Sequence, residues 1–198
     1  GERPALLSGA PRRSAGPGKT PAPAAAGRVR ARVAIVQSLW NRAITDALVD
    51  GAAQAAAAAG APCDRFTVAG AFELPAAVRL LAATRRYDAV VPLGCLIRGE
   101  TPHFQVLADA VAAGLMTVSL ESGVAIPFGV LTCGTLAQAK ARAGGREGNK
   151  GAKAMEAALS LVALRQRTAP SKRRSAARAA TASSRVARAK RSPSPGAA

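Results

Sequence analysis

Residues 94–105, GCLIRGETPHFQ, place a glycine, an acid, a hydroxyl and the only histidine of the chain in one short segment. Gly99 lets the backbone approach a ligand closely, and the amides of Glu100 and Thr101 suit an anion if a helix begins here. His103 can exchange protons near neutral pH, and the helix dipole favours its neutral, basic form. The same residues also fit an ordinary helix start, with Thr101 as a cap and His103 on the surface.

The flanking sequence predicts where this segment lies in the fold. Residues 87–93, YDAVVPL, form an apolar run typical of a buried strand, and residues 106–116 repeat apolar side chains at helical spacing. The segment therefore lies where a strand ends and a helix begins. In open α/β sheets, ligands bind at this edge.

The middle of the chain contains four such strand and helix units. The predicted strands are residues 32–37, 64–68, 87–93 and 125–131. Short links between strands and helices imply right-handed crossovers that cover both faces of a parallel sheet. We therefore predict an α/β fold of three layers, α/β/α, around a four-stranded parallel sheet.

Two other strand ends carry candidate binding residues. Trp40, the only tryptophan, follows the first strand, and Glu73 lies in AGAFELP, residues 69–75, after the second strand. A lone tryptophan is more often a core or subunit contact, and a glutamate in a first helical turn is often only a favourable partner for the helix dipole. A flat indole above the sheet also suits stacking on a planar ring.

The positive charge lies mainly at the two ends of the chain. Residues 165–198 hold ten Lys or Arg and no acidic residue, whereas residues 28–164 hold fourteen basic and ten acidic residues. We predict a disordered arm over residues 1–27, a globular domain over 28–164 and a disordered basic tail over 165–198. The tail is either a solvating segment or a nonspecific, salt-sensitive binder of polyanions such as RNA, without aromatic residues for stacking on bases.

Cysteine spacing and hydropathy indicate a cytoplasmic protein that does not enter a membrane. Cys63, Cys95 and Cys133 show no CxxC spacing, so neither a disulfide framework nor a zinc site is predicted. We therefore expect the protein to lie in a reducing compartment. No apolar run is expected to reach the length of a membrane helix, and residues 1–27 lack the apolar core of a secretory signal.

The motif GCLIRGETPHF resembles the active-site motif of the lumazine synthase family. Four more segments match in the family's order and spacing: LWN at 39–41, AGAFELP at 69–75, PFGVLT at 127–132 and ARAGGREGNKGAKA at 141–154. Five ordered matches are far more specific than any one alone. The resemblance implies a flavodoxin-like fold and a transferase of riboflavin biosynthesis. The implied reaction condenses 5-amino-6-(D-ribitylamino)uracil with 3,4-dihydroxy-2-butanone 4-phosphate to 6,7-dimethyl-8-ribityllumazine, without a cofactor or metal.

The resemblance also implies roles for individual residues, with His103 moving protons. The pyrimidine and ribityl chain would lie against Trp40, Ala71, Phe72, Glu73, Cys95, Leu96, Ile97 and Phe128. The phosphate would lie against Gly99, Glu100, Thr101, Arg142 and Lys150. By themselves, Phe128 reads as a core residue and Arg142 as a solvated surface residue.

In the family, the counterpart of Phe128 covers the site of the neighbouring subunit, which implies a homopentamer with sites at its interfaces. The spacing of ARAGGREGNKG, residues 141–151, resembles members whose pentamers assemble into sixty-subunit shells. Two other interpretations stay open. A flavin-binding carrier would use the same strand ends, and a cage protein that packages polyanions would keep the fold and the tail. Lumazine formation from both substrates separates the enzyme from each of them.

Overall fold

The computed structural model describes residues 31–169. The predicted arm, residues 1–27, and residues 170–198 of the predicted tail lie outside the described residues, whereas residues 165–168, assigned to the tail from the sequence, belong to the last helix. The elements in chain order are β1 Val33–Ser38, α1 Arg42–Ala58, β2 Cys63–Val68, α2 Leu74–Ala83, β3 Ala89–Ile97, α3 His103–Ser122, β4 Gly129–Cys133, α4 Leu136–Arg142, β5 Ala143–Gly145, β6 Gly148–Asn149 and α5 Lys150–Thr168.

The four long strands form one parallel sheet in the order β2-β1-β3-β4. Along β1, alternate side chains enter two different cores, Val33 and Ile35 on one face and Ala34 and Val36 on the other. All four are buried, because helices cover both faces of the sheet. The predicted three-layer α/β fold is confirmed.

Each face of the sheet has its own helical layer. α1 and α5 pack together on one face, and α2 and α3 pack together on the other. Fully buried anchors of the two layers include Leu48, Met155 and Val162 on the first face and Leu74 and Val78 on the second. Burial of each such side chain contributes about 2 kcal/mol to folding. The two layers hold the strands, so the loops at the strand ends start from fixed positions.

The contact between α1 and α5, which we call the α1–α5 seam, has no spare room at Gly151. A Cβ atom added there would overlap the carbonyl group of Leu48. Asn149 fixes the start of α5: its Oδ1 accepts hydrogen bonds from the Gly151 and Ala152 amides at 2.8 and 3.1 Å. Its Nδ2 donates to the Ala47 carbonyl oxygen on α1 at 2.7 Å. The seam therefore fixes where the loop before α5 lies.

The prediction of a fourth strand over residues 125–131 is wrong at both ends. Ala125 forms only an isolated bridge with Ala89, and β4 runs from Gly129 to Cys133. Pro127 has no N–H to donate to a neighbouring strand, which explains the gap between the bridge and β4. Phe128 consequently lies just before the strand instead of inside it.

One described helix, α3, is long and apolar enough to cross a membrane by length and composition alone, with 20 residues and a mean hydropathy of 1.3. The expectation that no apolar run approaches this length is therefore wrong for α3. One side of α3 packs on the sheet through buried residues that include Val111 and Leu115. Val106, Met116 and Leu120 are 64, 61 and 78 % exposed on the opposite side. We call these three residues the apolar stripe of α3.

Candidate active site

The strand order places a cleft between the loops that follow β1 and β3. β2 lies on one side of β1 and β3 on the other, so the chain leaves the ends of β1 and β3 in opposite directions and opens a crevice there. A cavity of about 750 Å3 occupies this edge of the sheet. Ten residues singled out from the sequence line it: Trp40, Ala71, Phe72, Glu73, Cys95, Leu96, Ile97, Gly99, Thr101 and His103.

Four other predicted residues do not line this cavity. Phe128 is 51 % exposed and lines a separate cleft of about 540 Å3 beside α3. The guanidinium of Arg142 donates to the Gln138 carbonyl oxygen at 3.2 Å on its own helix, and Lys150 begins α5. Glu100 is exposed in the loop before α3. A single chain thus assembles most of the predicted set around one cavity, with Glu100 between two of its lining residues, and leaves Phe128, Arg142 and Lys150 outside it.

The cavity exposes two large aromatic side chains. Trp40 is 72 % exposed and Phe72 is 61 % exposed. Exposed rings of this size contribute little to the fold, because their apolar surface stays in water. They do offer flat faces to a planar ligand, since aromatic rings stack in offset geometry on other rings. The cavity is therefore suited to a planar ring.

Asn41 lines the same cavity and was missed by the sequence analysis, although it lies in the LWN motif. Its backbone takes a left-handed conformation with φ 58°, and its Nδ2 donates to the Cys95 carbonyl oxygen at 2.9 Å. This bond ties the loop that carries Trp40 to the end of β3. Asparagine tolerates left-handed φ better than most residues, so an Asn at a strand end was the available signal.

Glu73 fixes the second loop of the site. Its Oε2 accepts a hydrogen bond from the Gly70 amide at 2.9 Å, which closes the turn between β2 and α2. An ionised carboxylate has further acceptor capacity on its second oxygen. Glu73 can therefore hold its own loop and still accept from a hydroxyl of a ligand.

The loop between β3 and α3 places His103 at the first residue of the helix. The N-cap residue is Pro102, and no side chain caps this end, so Thr101 does not act as the cap. The first amides of α3 are left without helical partners, an arrangement that suits an anion. A Cβ added to Gly99 would meet no atom within 4 Å, and its φ lies outside the positive range. The fold itself therefore does not require glycine at residue 99.

Cys95 contributes backbone, not a reactive thiol. Burial, and then the neighbouring Cys133, raises the pKa of the Cys95 thiol to about 12, so it stays protonated at neutral pH. All three cysteines of the chain are free. Across residues 31–169, His, Cys, Asp and Glu side chains nowhere form a group of three that could hold a metal ion.

Fold and site together define a flavodoxin-like α/β protein whose cleft suits a planar ring, a hydroxylated chain and an anion. Residues 30–166 match the family model of 6,7-dimethyl-8-ribityllumazine synthase. The chain belongs to this family and is an enzyme of the transferase class.

Curated relatives with the same name share close to half of the aligned residues. The protein of Gemmatimonas aurantiaca is 45 % identical over 142 residues, which cover 70 % of this chain and 87 % of the relative. Those of Xanthomonas oryzae and Xylella fastidiosa are 46 and 44 % identical over 137 residues, which cover 68 % of this chain and 89 % of each relative. Membership in the family predicted from the sequence motifs is thereby confirmed.

Proposed function

We propose that this chain condenses 5-amino-6-(D-ribitylamino)uracil with 3,4-dihydroxy-2-butanone 4-phosphate to form 6,7-dimethyl-8-ribityllumazine, in the cleft at the carboxyl ends of β1, β2 and β3. The observation that carries the proposal is the set of residues around that cleft: two exposed aromatic rings, a carboxylate and the only histidine of the chain. Riboflavin biosynthesis in the cytoplasm is the setting we assign to it.

The pyrimidine substrate is proposed to stack on Trp40 and to pair with the backbone at the end of β3, over Cys95, Leu96 and Ile97. Its ribityl chain would run along Ala71 and Phe72, with Glu73 accepting from its hydroxyls. The support is that these residues line one continuous cavity. Backbone pairing explains why a buried, protonated Cys95 is acceptable at this position.

The phosphorylated ketone is proposed to lie at the start of α3. The backbone from Gly99 through Glu100 to Thr101 would hold the phosphate, because the unpartnered amides and the helix dipole both favour an anion there. The amine of the pyrimidine is already a nucleophile, so the protein mainly brings the two substrates together. His103 would carry protons as the Schiff base forms, the phosphate leaves and the ring closes.

A neighbouring copy is proposed to complete the site with Phe128, Arg142 and Lys150. The support is that Phe128 is half exposed and lies outside the cavity of its own chain. An arginine fork would match two phosphate oxygens, and the ring of Phe128 would close the pyrimidine against Trp40. Family membership implies an oligomeric assembly, and we propose a ring of five copies, with a sixty-subunit shell as the larger alternative.

Coexpression of two impaired variants, assayed at a concentration of the phosphorylated ketone far below the raised KM, tests the shared site directly. His103→Ala should lower kcat about 100-fold through loss of proton transfer, and Arg142→Ala should mainly raise KM for the phosphorylated ketone. In mixed rings, about a quarter of the sites pair an intact His103 with an intact Arg142 from the neighbour. Lumazine fluorescence should therefore recover to roughly that fraction of the activity of the unchanged chain.

Two outcomes would count against this proposal. Mixed rings that stay as inactive as the separate variants would mean that both residues serve the same chain. A purified chain that forms no lumazine from both substrates but carries bound yellow flavin would favour the flavin-binding carrier.

A further inference from the structure

The loop between β3 and α3 has few attachments to the rest of the fold. Within residues 31–169, no backbone hydrogen bond outside the regular elements reaches Gly99, Glu100 or Thr101. In the same part of the chain, the imidazole of His103 also makes no hydrogen bond. The loop amides and the imidazole therefore depend on the two ends of the loop for their positions.

Both ends of this loop are anchored. The amide of Arg98 donates to the Cys133 carbonyl oxygen at 2.9 Å, which extends the pairing of β3 with β4 by one residue. Phe104, in the first turn of α3, is partly buried and packs against the core between the sheet and the layer of α2 and α3. Residues 99–103 thus connect two residues whose positions the fold determines.

The side chains of the two anchors also contact each other. The guanidinium carbon Cζ of Arg98 lies over the ring of Phe104, 5.4 Å from its centroid. The negative face of an aromatic ring attracts a cation at this distance. We call Arg98 and Phe104 the loop clip, because their contact closes residues 99–103 into a loop at its base.

Phe104 separates Arg98 from the cavity that His103 lines. The ring of Phe104 lines both this cavity and the separate cleft beside α3, whereas Arg98 lines only the cleft. His103 directly precedes Phe104 in the first turn of α3, so a shift of the ring also shifts the imidazole. Within one chain, Arg98 therefore influences the cavity through Phe104 and not by direct contact.

We propose that Arg98 is a positioning residue for lumazine formation. By holding the ring of Phe104, it fixes the first turn of α3, and with it the direction of the imidazole of His103 and the amides that face the phosphate. This inference rests on the proposed function, because it assumes that the imidazole and these amides act on the two substrates. Fixed positions matter because small displacements of reacting groups lower the rate strongly.

Steady-state kinetics of three variants test the role of Arg98. Arg98→Met should lower kcat/KM for the phosphorylated ketone about fivefold, through both a lower kcat and a higher KM. KM for the pyrimidine should stay within about 1.5-fold, because the loop that carries Trp40 is not part of the clip. Arg98→Lys keeps a cation for the ring and should recover at least about half of the loss. The matched control is Arg79→Met, an exposed arginine of α2 that lines a different cleft, and it should match the unchanged chain.

A double-mutant cycle tests whether Arg98 acts through the ring. Phe104→Leu keeps an apolar side chain in the first turn of α3 but removes the aromatic face. In a chain that carries Phe104→Leu, the further change Arg98→Met should lower kcat/KM by less than about 1.5-fold. An equal, fivefold loss with and without the ring would mean that Arg98 acts by its charge alone, which would overturn the clip.

Coexpression tests whether Arg98 serves its own chain. When Arg98→Met and His103→Ala chains assemble together, every intact imidazole lies in a chain without the clip. The mixture should therefore show about half of the activity of the Arg98→Met chain alone. Activity above that of the Arg98→Met chain would mean that Arg98 acts on the site of a neighbouring copy, and it would overturn the inference.

Proteolysis examines the loop without any substrate. Glu100 is exposed in the loop, so a glutamate-specific protease can report how freely the loop moves. Arg98→Met should be cleaved after Glu100 about threefold faster than the unchanged chain, and Arg79→Met at an unchanged rate. Equal cleavage of all three chains would overturn the clip. If the unchanged chain forms no lumazine, the proposed function fails, whereas this comparison still tests the clip.

Discussion

At the α1–α5 seam, packing determines which residue the fold can accept. In the cavity lined by His103, which we call the His103 cavity, packing leaves the choice of residue open. At the seam, Gly151 has no room for a Cβ because the Leu48 carbonyl occupies the space. In the cavity loop, Gly99 has open space around it and an ordinary φ, and Trp40 is 72 % exposed. Packing accounts for Gly151 at the seam. It does not account for Gly99 or for the exposed Trp40, which the proposed ligand would explain.

The largest effect is expected at the seam. Gly151→Ala forces α5 away from Leu48, and the free energy of unfolding should fall by about 3 kcal/mol, as in other overpacked contacts. Denaturant unfolding measures the change. Gly99→Ala is the matched control and should alter the free energy of unfolding by less than about 0.5 kcal/mol. Similar destabilisation by both changes would remove the distinction between the two regions.

Asn41→Asp should have the next largest effect, on binding of the pyrimidine substrate. Aspartate keeps the tolerance for a left-handed φ but loses the donor to the Cys95 carbonyl, and it places two acceptors together. Loss of this bond releases the loop that carries Trp40, and a cost of about 2 kcal/mol to bring the loop back for binding corresponds to roughly thirtyfold in affinity. Quenching of Trp40 fluorescence by the substrate measures it, since Trp40 is the only tryptophan. Unchanged quenching would mean that Asn41 does not position the loop.

Gly99→Ala should impair binding without affecting stability. A methyl group between the phosphate and the backbone should raise KM for 3,4-dihydroxy-2-butanone 4-phosphate by about tenfold, because close approach to the amides is lost. KM for the pyrimidine should stay nearly constant. Steady-state kinetics with each substrate varied in turn separates the two constants. Equal KM values for the ketone in variant and parent would contradict a phosphate site at Gly99.

The smallest effect concerns the pH dependence of stability at Cys95. Burial raises the thiol pKa from 9.0 to about 12 in the folded chain, so the unfolded chain loses its proton first as pH rises. This contribution is present in full below pH 9 and is lost progressively between pH 9 and 12. Cys95→Ala should therefore flatten the decline of the unfolding free energy between pH 8 and about 10.5. An unchanged slope would mean that other groups cause the decline.

The four-stranded parallel sheet was largely predictable, because most of its strands are continuous apolar runs and helices follow them at short distance; the strand order came from the structure. β4 was misplaced because Val124, Ala125 and Ile126 are apolar and buried but precede Pro127. These residues are buried without belonging to the strand, which begins only at Gly129. The β5–β6 hairpin was not predicted at all. Its residues, AGGREGN, show no alternation of apolar side chains, and it is held by Asn149 through tertiary contacts that no local pattern reports.

The cavity was also predictable in part, because it lies at the ends of the predicted strands. Glycine, histidine and tryptophan at strand ends stand out by type, and parallel strands bring their ends together. Asn41 acts through one bond to a residue 54 positions away, so only the structure could show its role.

The apolar stripe of α3 has a consequence for a newly made chain. Val106, Met116 and Leu120 face water until another surface covers them, and chains that meet in the wrong orientation will adhere through the same three side chains. The yield of folded protein should therefore depend on how fast copies associate in the correct orientation. Dilution slows this association, and binding of chaperones to the exposed side chains competes with it. If the proposed ring covers this stripe, then assembly of the copies, and not only the folding of each chain, sets the yield of usable protein.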